Sequence, residues 1–245
     1  SMVLREQLSE GIVAITLNRP ESLNALSPAL FSELNKIVTE LLNQTDSVGC
    51  VILRGAGRCF SAGNDLKAVR SGVKAKEKFF QAKTIDLIEK LPQPTIASVH
   101  GHCLTGALEL ALACDLMITS ESANLADTHG KWGMVPGWGM SVRLPRRVGL
   151  LKAKEMMFTG MSINGLQAVE IGLSSQCVAD DHLKVSTLDL AESIVKNSWH
   201  TNFADKKLFL DNENHFHDAS LKMEREQSAS VASDMQERVK EGFKS

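Results

Sequence analysis

The sequence of 245 residues lacks the features that mark several specialised classes of protein. Its formal net charge is only −2 and it contains no block of basic residues, so we expect no nucleic-acid partner. The longest apolar stretch, residues 108–117, is interrupted by Glu109 and Asp115 and is too short to span a membrane. No charged and then apolar leader follows Met2, so we expect neither a secretory signal nor a membrane partner.

Cysteines are few and unpaired in the sequence. Five are present, none of them in a Cys-x-x-Cys pair, and three lie in apolar runs. Scattered cysteines of odd number are typical of buried, reduced thiols, so we expect no disulfide framework and a cytoplasmic location. The chain has 43% hydrophobic and 23% charged residues, a composition typical of a globular domain. At 245 residues it is long enough to bury a substantial core without disulfides.

Strands and helices alternate along the first half of the chain. The predicted strands are short apolar runs, several of them rich in β-branched residues: 3–8, 12–18, 49–54, 95–99 and 116–120. The predicted helices are 27–43, which begins with a capping Ser27-Pro28, 66–90 and 106–114. A turn is expected at 101–105. Strands that alternate with helices predict an α/β fold with a largely parallel sheet.

The pattern becomes mainly helical after Pro136. Short helices are predicted at 141–147, 151–158 and 164–171, followed by a last strand at 176–179 and by helices at 182–196, 202–209 and 217–243. Apolar residues in the final stretch are too sparse for a separate core. We therefore divide the chain into a core at residues 1–190 and a helical region at 191–245, which packs against the core or a second subunit.

Two loops place glycine where a predicted strand ends and a helix begins, at residues 58–66 and 100–110. Glycine at such a junction lets backbone N–H groups approach a ligand closely. Two such loops together can aim two N–H donors at one carbonyl oxygen, which is the geometry that stabilises an enolate or a tetrahedral oxyanion. Either loop alone is more commonly a simple turn.

These loops, with their neighbouring motifs, resemble the enoyl-CoA hydratase/isomerase (crotonase) superfamily. The motifs that carry the resemblance occur in the family's order: Asn18-Arg19-Pro20 with Asn24-Ala25-Leu26, residues 60–66, residues 101–110, Cys114-Asp115-Leu116, and residues 133–139. The resemblance implies a crotonase-like fold, in which repeated ββα units form a spiral and a helical C-terminal region serves trimerisation. It also implies an acyl-CoA substrate and a homotrimer or hexamer.

The resemblance assigns binding residues by position. The backbone N–H groups of Asn64 and Gly106 become the two oxyanion donors. Positions that match the family's adenine pocket are Leu23, Ala62, Asp65 and Leu66. Lys67 matches a basic position near the nucleotide phosphates, although a solvated lysine at a helix start is an equal alternative.

Glu109 is the strongest candidate for a catalytic residue. A carboxylate within an otherwise apolar run is costly to bury without a purpose. It lies three residues beyond Gly106, one helical turn along, and so can reach an acyl group held at that turn. By resemblance it handles the water that adds to the β carbon; a structural glutamate that caps the helix is the alternative.

The sequence departs from the family's hydratases at their second glutamate, which is replaced here by His129. By resemblance this position transfers the proton at the α carbon, and histidine, with an ordinary pKa of about 6.5, can do so at neutral pH. Asp127 is close enough in sequence to orient its ring. A satisfied surface or core histidine is the alternative. A milder departure is Thr105-Gly106-Ala107, where the family often has three glycines.

Other features of the sequence have simpler interpretations. His100, His102 and Cys103 have the composition of a metal site, but alternate residues of a strand point apart, so we expect no metal. Trp132 and Trp138 are expected to wall the acyl pocket or the core. Residues 239–244 resemble the penultimate part of the family's tail, so we expect further residues after them.

The resemblance implies a lyase of the enoyl-CoA hydratase type, which adds or removes water across the C2–C3 bond of an acyl-CoA thioester. Glu109 and His129 would be its acid and base, and no metal or redox cofactor is implied. Two alternatives stay open. One is another crotonase reaction, namely double-bond isomerisation, decarboxylation or thioester hydrolysis. The other is a non-catalytic protein that binds acyl-CoA.

Overall fold

The computed structural model describes residues 1–70 and 77–212, together with Ser233, and shows two sheets surrounded by helices. The strands are β1 (Val3–Ser9), β2 (Gly11–Leu17), β3 (Val48–Gly55), β4 (Thr95–Val99), β5 (His102–Leu104), β6 (Leu116–Ser120), β7 (Asn124–Ala126), β8 (Ser162–Ile163) and β9 (Gln176–Val178). The helices are α1 (Pro28–Leu41), α2 (Leu66–Arg70), α3 (Phe80–Glu89), α4 (Gly106–Leu112), α5 (Met140–Val148), α6 (Leu150–Thr159), α7 (Gly165–Glu170), α8 (Leu183–Val195) and α9 (Trp199–Asn212). Short 3₁₀ turns lie at Pro20–Ser22, His129–Trp132 and Asp180–His182.

The larger sheet has six strands in the order β1-β2-β3-β4-β6-β9. β1 and β2 form an antiparallel hairpin, and each later strand is parallel to its neighbour. All of β2 is buried, because both faces of the sheet are covered. Val13 and Ile15 belong to the main core, which includes α1, whereas Ile12 and Ala14 face the cluster under α8. This alternation is the period of a β-strand.

A smaller sheet of β5, β7 and β8 lies beside the larger one. β5 pairs in parallel with β7, and β7 pairs antiparallel with β8. The turn predicted at residues 101–105 is therefore wrong, since His102–Leu104 is strand β5, and neither β7 nor β8 was predicted. Strands of two or three residues are too short to show a period. The unit β4–β5–α4 is the ββα repeat that the resemblance implies.

The single helix predicted over residues 66–90 is also wrong. α2 ends at Arg70, and α3 begins at Phe80. Between them Phe79 has φ +62°, a left-handed conformation that a continuous right-handed helix does not contain. Residues 71–76 lie outside the described residues.

The second face of the larger sheet is covered by α8, whose buried residues include Thr187 and Ala191. The Thr187 hydroxyl hydrogen-bonds Ser98 of β4 at 2.8 Å. The predicted domain boundary between residues 190 and 191 thus falls inside a helix that packs on the core sheet along its length. The helix predicted at 217–243 lies outside the described residues.

Helix α9 is attached to the body of the molecule at two points, its first residue and its middle. A side chain added at Gly11 or Gly49 would meet the Trp199 ring at 2.4 Å, so this tryptophan packs directly on the hairpin and β3. Further along, the Lys206 ammonium pairs with Asp115 at 2.6 Å and donates to the Gln93 carbonyl at 3.0 Å. The predicted helix at 202–209 is longer at both ends. Over the described part of the chain, no helix combines the length and the apolar character needed to cross a membrane.

Candidate active site

The first glycine loop is held by a buried asparagine. Asn24 has φ +53°, a conformation that asparagine tolerates better than most residues. Its side-chain amide donates to the carbonyl oxygens of Ala56, Cys59 and Phe60 at 2.8, 2.9 and 3.2 Å, and its oxygen accepts from the Arg19 N–H at 2.8 Å. One side chain therefore fixes the course of the loop between β3 and α2.

The same loop orients the Asn64 N–H. Leu26 N–H donates to the Gly63 carbonyl at 2.8 Å, and the Asp65 N–H donates to the Leu26 carbonyl at 3.2 Å. Because neighbouring peptide groups of an extended segment point to opposite sides, the Asn64 N–H faces away from Leu26. On that side lies a cavity that Asn64 lines.

The second glycine loop begins at a strained residue, Thr105, whose φ is +55° and ψ is −108°. Such a conformation is a genuine outlier for a β-branched side chain and costs about 1–3 kcal/mol. Gly106 follows as the first residue of α4, where the N–H has no partner within the helix. A Cβ at Gly106 would lie 2.6 Å from the Trp138 ring, so only glycine fits there.

The two loops approach each other closely around the cavity, which has a volume of about 330 Å³. A Cβ on Gly63, which has φ +96°, would lie 2.5 Å from the Leu104 carbonyl and 3.7 Å from the Gly106 nitrogen. Asn64 and Gly106 both line the cavity, and so do Glu109 and His129. The structure thus brings the four residues predicted for chemistry to one place.

Glu109 is buried, with 1% of its surface exposed, at the edge of this cavity. Its Oε1 accepts the backbone N–H groups of Trp138 at 2.9 Å and Met140 at 3.0 Å. Its Oε2 faces His129 Nε2 at 3.7 Å, too far for a direct hydrogen bond. Burial raises the pKa of the Glu109 carboxyl above its ordinary value, despite the two N–H donors and the nearby imidazole.

His129 is held from its other side by Asp127. The ring Nδ1 lies 2.6 Å from Asp127 Oδ1, and the His129 N–H donates to the same oxygen at 3.2 Å. Burial disfavours the charged ring, but the hydrogen bond and charge of Asp127, with the charge of Glu109, outweigh it and raise the pKa of His129. The remaining ring nitrogen, Nε2, is turned toward Glu109.

The residues predicted for coenzyme A binding divide into two groups. Ala62 and Leu66 line the cavity, and Leu23 adjoins it because its carbonyl accepts the Ala62 N–H at 2.9 Å. Among the described residues, Asp65 and Lys67 do not line it, and the Lys67 side chain is exposed.

The Asp65 carboxylate is committed elsewhere. It pairs with Arg19 at 2.9 Å and caps α2 by accepting the N–H groups of Lys67 and Ala68, each at 3.1 Å. Partial burial opposes ionisation, but Arg19 and these N–H donors outweigh it and hold the pKa of Asp65 below its ordinary value. The Asp65 carboxylate therefore stabilises the start of α2, and its contact with the adenine stays a prediction.

The segment after His129 supplies groups that the sequence analysis missed. Trp138 and Met140 contribute backbone N–H groups, which carry no signal in the sequence. The predicted role of the two tryptophans as walls agrees with the structure: Trp132 and Trp138 both line the cavity, and Trp138 packs edge-on against Phe31 with 5.1 Å between ring centroids. Arg143, also missed, donates to the Trp138 carbonyl at 2.9 Å.

The histidines near β5 have protein partners. His100 Nε2 lies 2.8 Å from the Gly57 carbonyl, and His102 Nδ1 lies 3.4 Å from the Asn124 amide. Across residues 1–70 and 77–212, no group of three or more His, Cys, Asp or Glu side chains is arranged to hold a metal ion. The cavity instead combines backbone donors on one side with a carboxylate and an imidazole on the other.

Comparison with known proteins gives consistent matches. The model of the enoyl-CoA hydratase/isomerase family matches residues 7–245. A short-chain-enoyl-CoA hydratase of Clostridium acetobutylicum is 35% identical over 194 residues, which cover 77% of this chain and 74% of that protein. An enoyl-CoA hydratase of Bacillus anthracis has a solved structure that is similar with a TM-score of 0.92 at 33% identity, over 100% of this chain and 96% of that one.

A further similar structure contains a ligand. It is a Thermobifida fusca protein in complex with acetoacetyl-CoA, with a TM-score of 0.85 and 25% identity, over 93% of each chain.

Proposed function

The chain belongs to the enoyl-CoA hydratase/isomerase (crotonase) family and is an enzyme of that family, and from this premise we propose how its cavity adds water across the C2–C3 bond of an enoyl-CoA. The predicted family is confirmed by the match over residues 7–245, and the predicted crotonase-like fold by the TM-score of 0.92. The observation that carries the proposed mechanism is the placement of Glu109 and His129 on one cavity with the Asn64 and Gly106 backbone.

The substrate in this proposal is an acyl-CoA whose thioester oxygen lies between the N–H groups of Asn64 and Gly106. The acetoacetyl-CoA complex of the Thermobifida fusca protein supports this class of ligand. As electrons move from the C2–C3 double bond onto the thioester oxygen, the two donors stabilise the enolate. Losing one such donor typically costs about 3–4 kcal/mol of transition-state stabilisation.

Glu109 acts as the base that activates water. Its Oε1 is occupied by two backbone N–H groups, which leaves Oε2 to accept a proton while the water oxygen bonds to C3. His129, protonated and held by Asp127, then gives its Nε2 proton to C2 as the enolate collapses. The net change is addition of H and OH.

The pair can reset without an outside proton. After turnover Glu109 holds the proton taken from water, and His129 has lost one. Because Oε2 and Nε2 are 3.7 Å apart, a small movement returns the proton to the ring. Since protons move only between side chains and the backbone holds the enolate, this reaction calls for no metal or redox cofactor.

Coenzyme A would enter along the Leu23 and Ala62 edge, with Leu66 beside it and Lys67 near the nucleotide phosphates. The assembly proposed is a homotrimer or hexamer in the cytoplasm, with residues 191–245 contributing to contacts. Exposed apolar side chains on α6 support association: Leu150, Leu151 and Phe158 are 60%, 83% and 82% exposed. Light scattering after size exclusion tests this assembly.

The experiment that tests the reaction is an assay of purified protein against a panel of 2-enoyl-CoAs. The signal monitored is the loss of absorbance of the conjugated thioester. Mass spectrometry of the product should show the gain of one water. A product of unchanged mass would assign isomerisation, and free coenzyme A thiol would assign hydrolysis. Loss of carbon dioxide from a panel member that carries a carboxylate would assign decarboxylation. Tight binding without any product would leave only a binding protein.

A further inference from the structure

Thr105 combines a strained backbone with a full set of hydrogen bonds. It is buried, and its φ of +55° and ψ of −108° suit glycine rather than a β-branched residue. Strain of this kind persists only where surrounding contacts hold the residue in place. The hydrogen bonds of Thr105 therefore identify the parts of the site that hold it in this conformation.

Each polar group of Thr105 reaches a different part of the site. Its N–H donates to the Ala126 carbonyl at 2.8 Å, and its carbonyl accepts the Glu109 N–H at 3.0 Å. Its hydroxyl oxygen accepts the Thr128 N–H at 2.9 Å and hydrogen-bonds the Thr128 hydroxyl. Thr128 directly precedes His129, so Thr105 joins the loop of the oxyanion donor to the loop of the histidine.

The backbone angle of Thr105 also sets the direction of the Gly106 N–H. The peptide between these two residues rotates with ψ of Thr105, so the value of −108° aims the N–H that the proposed function uses. We propose that Thr105 is a positioning residue, whose bonds to Thr128 lock the Gly106 N–H in register with His129 and Glu109. This inference rests on the proposed oxyanion hole but not on the identity of the reaction.

The hydroxyl is the part of Thr105 that can be tested separately. Glycine would adopt the same φ without strain but could not bond Thr128. Valine would keep the β-branched shape and lose both bonds to Thr128. Serine would keep the hydroxyl and lose only a methyl group. If the residue served only to fill space, valine would be the mildest of the three substitutions.

The experiment compares Thr105→Val, Thr105→Ser and the wild type, with Thr39→Val as a matched control because Thr39 is exposed on α1. For Thr105→Val we expect kcat to fall roughly 10- to 100-fold with KM little changed, since small misplacements of reacting groups have effects of this order. Thr105→Ser should restore most of the activity. Thr39→Val should match the wild type.

A second readout is independent of turnover. The carbonyl ¹³C resonance of bound butyryl-CoA labelled at C1 reports polarisation of the thioester, and this saturated thioester has no double bond to hydrate. We expect a downfield shift on binding to the wild type and Thr105→Ser, and a smaller one on binding to Thr105→Val. Wild-type protein that shifts the resonance yet hydrates no enoyl-CoA would refute the hydratase proposal alone.

An equal shift and equal kcat in Thr105→Val would overturn the positioning role. If Thr105→Val does not fold, Thr128→Val replaces it, because that variant removes one hydroxyl and keeps the Thr128 N–H bond to Thr105. For Thr128→Val we expect a smaller fall in kcat than for Thr105→Val, and a carbonyl shift that is smaller than that of the wild type. If Thr128→Val has the kcat and the carbonyl shift of the wild type, the proposal is rejected as well.

Discussion

Two polar networks, one buried and one partly exposed, meet at Trp138 in this protein, and their chemistry differs. The acid–base network consists of Glu109, His129 and Asp127. The arginine network consists of Arg143 with Asp86 and Glu89 of α3. Arg143 Nε and Nη2 donate to the two Glu89 oxygens at 2.9 and 2.7 Å, and Nη2 also donates to Asp86 at 2.7 Å.

Direct contact in the arginine network favours the charged forms of Glu89 and Arg143. Burial opposes ionisation of Glu89, but the hydrogen bond and charge of Arg143 outweigh it and hold the pKa of Glu89 below its ordinary value. The same carboxylates raise the pKa of Arg143, although its burial acts the other way. Glu89 and Arg143 therefore stabilise each other in their charged forms, as a structural ion pair requires.

The acid–base network leaves its charges able to change. The pKa values of Glu109 and His129 are both raised above their ordinary values, as often occurs for groups at functional sites. Their facing atoms are separated by 3.7 Å, and both residues line a cavity. The separation of these two atoms and their position at the cavity, in contrast to the direct contacts of Arg143, are the reasons why we propose Glu109 and His129 as the acid–base pair.

The two networks are also connected. Arg143 donates to the Trp138 carbonyl, and the Trp138 N–H donates to Glu109. The arginine network thus supports the loop that orients the Glu109 carboxylate. The predictions below separate the two contributions.

The largest effect is expected for Glu109→Gln. The amide oxygen can still accept the Trp138 and Met140 N–H groups, but the base is lost. General acid–base groups contribute about 10²- to 10⁴-fold, so kcat should fall by that order while acyl-CoA binding by calorimetry persists. The free energy of unfolding should change little. Wild-type turnover would remove Glu109 from the mechanism.

The next effect is on stability. Arg143→Met leaves Asp86 and Glu89 without their partner, and breaking a buried pair costs about 3–5 kcal/mol; partial exposure of both carboxylates lowers the expected loss to about 2–4 kcal/mol. Urea denaturation measures it. The control is Lys83→Met, which breaks an ion pair with Glu77 whose side chains are each 59% exposed and should cost about 0–1 kcal/mol. Equal losses would show that the arginine network is not structural.

A smaller loss of activity is expected for His129→Ala. Turnover should fall about 10²-fold, the lower end for a general acid, because solvent can still protonate C2 slowly in the opened cavity. His129→Glu should recover part of the rate if a carboxylate reaches the same position. Initial rates at saturating substrate measure both variants. An alanine variant with the wild-type rate would make His129 structural.

The sequence contains the side chains proposed for catalysis in recognisable form, and for a physical reason. Glu109 stands out because a carboxylate in an apolar run is costly, and His129 because of its distance from Glu109 along the family's pattern. Five strands of the large sheet, β1, β2, β3, β4 and β6, were predicted for the same kind of reason, since each has at least five residues in which to show its apolar character.

Backbone groups and short elements could not be predicted in this way. The Trp138 and Met140 N–H groups that hold Glu109 are present in any residue, so no side chain marks them. β5 and β7 each have three residues, too few to show a period. The bonds between Thr105 and Thr128 depend on a pairing of β5 with β7 that only the structure reveals.

The pH–rate profile of hydration tests the central claim most directly, because the two members of the acid–base network titrate in opposite senses. Glu109 must be ionised, so activity falls as pH drops through its pKa, which lies above the ordinary 4.5. His129 must be protonated, so activity falls as pH rises through its pKa, which lies above the ordinary 6.5. We predict a bell-shaped kcat profile for the wild type and loss of the alkaline limb in His129→Ala. An alkaline limb that persists unchanged in that variant would contradict the account.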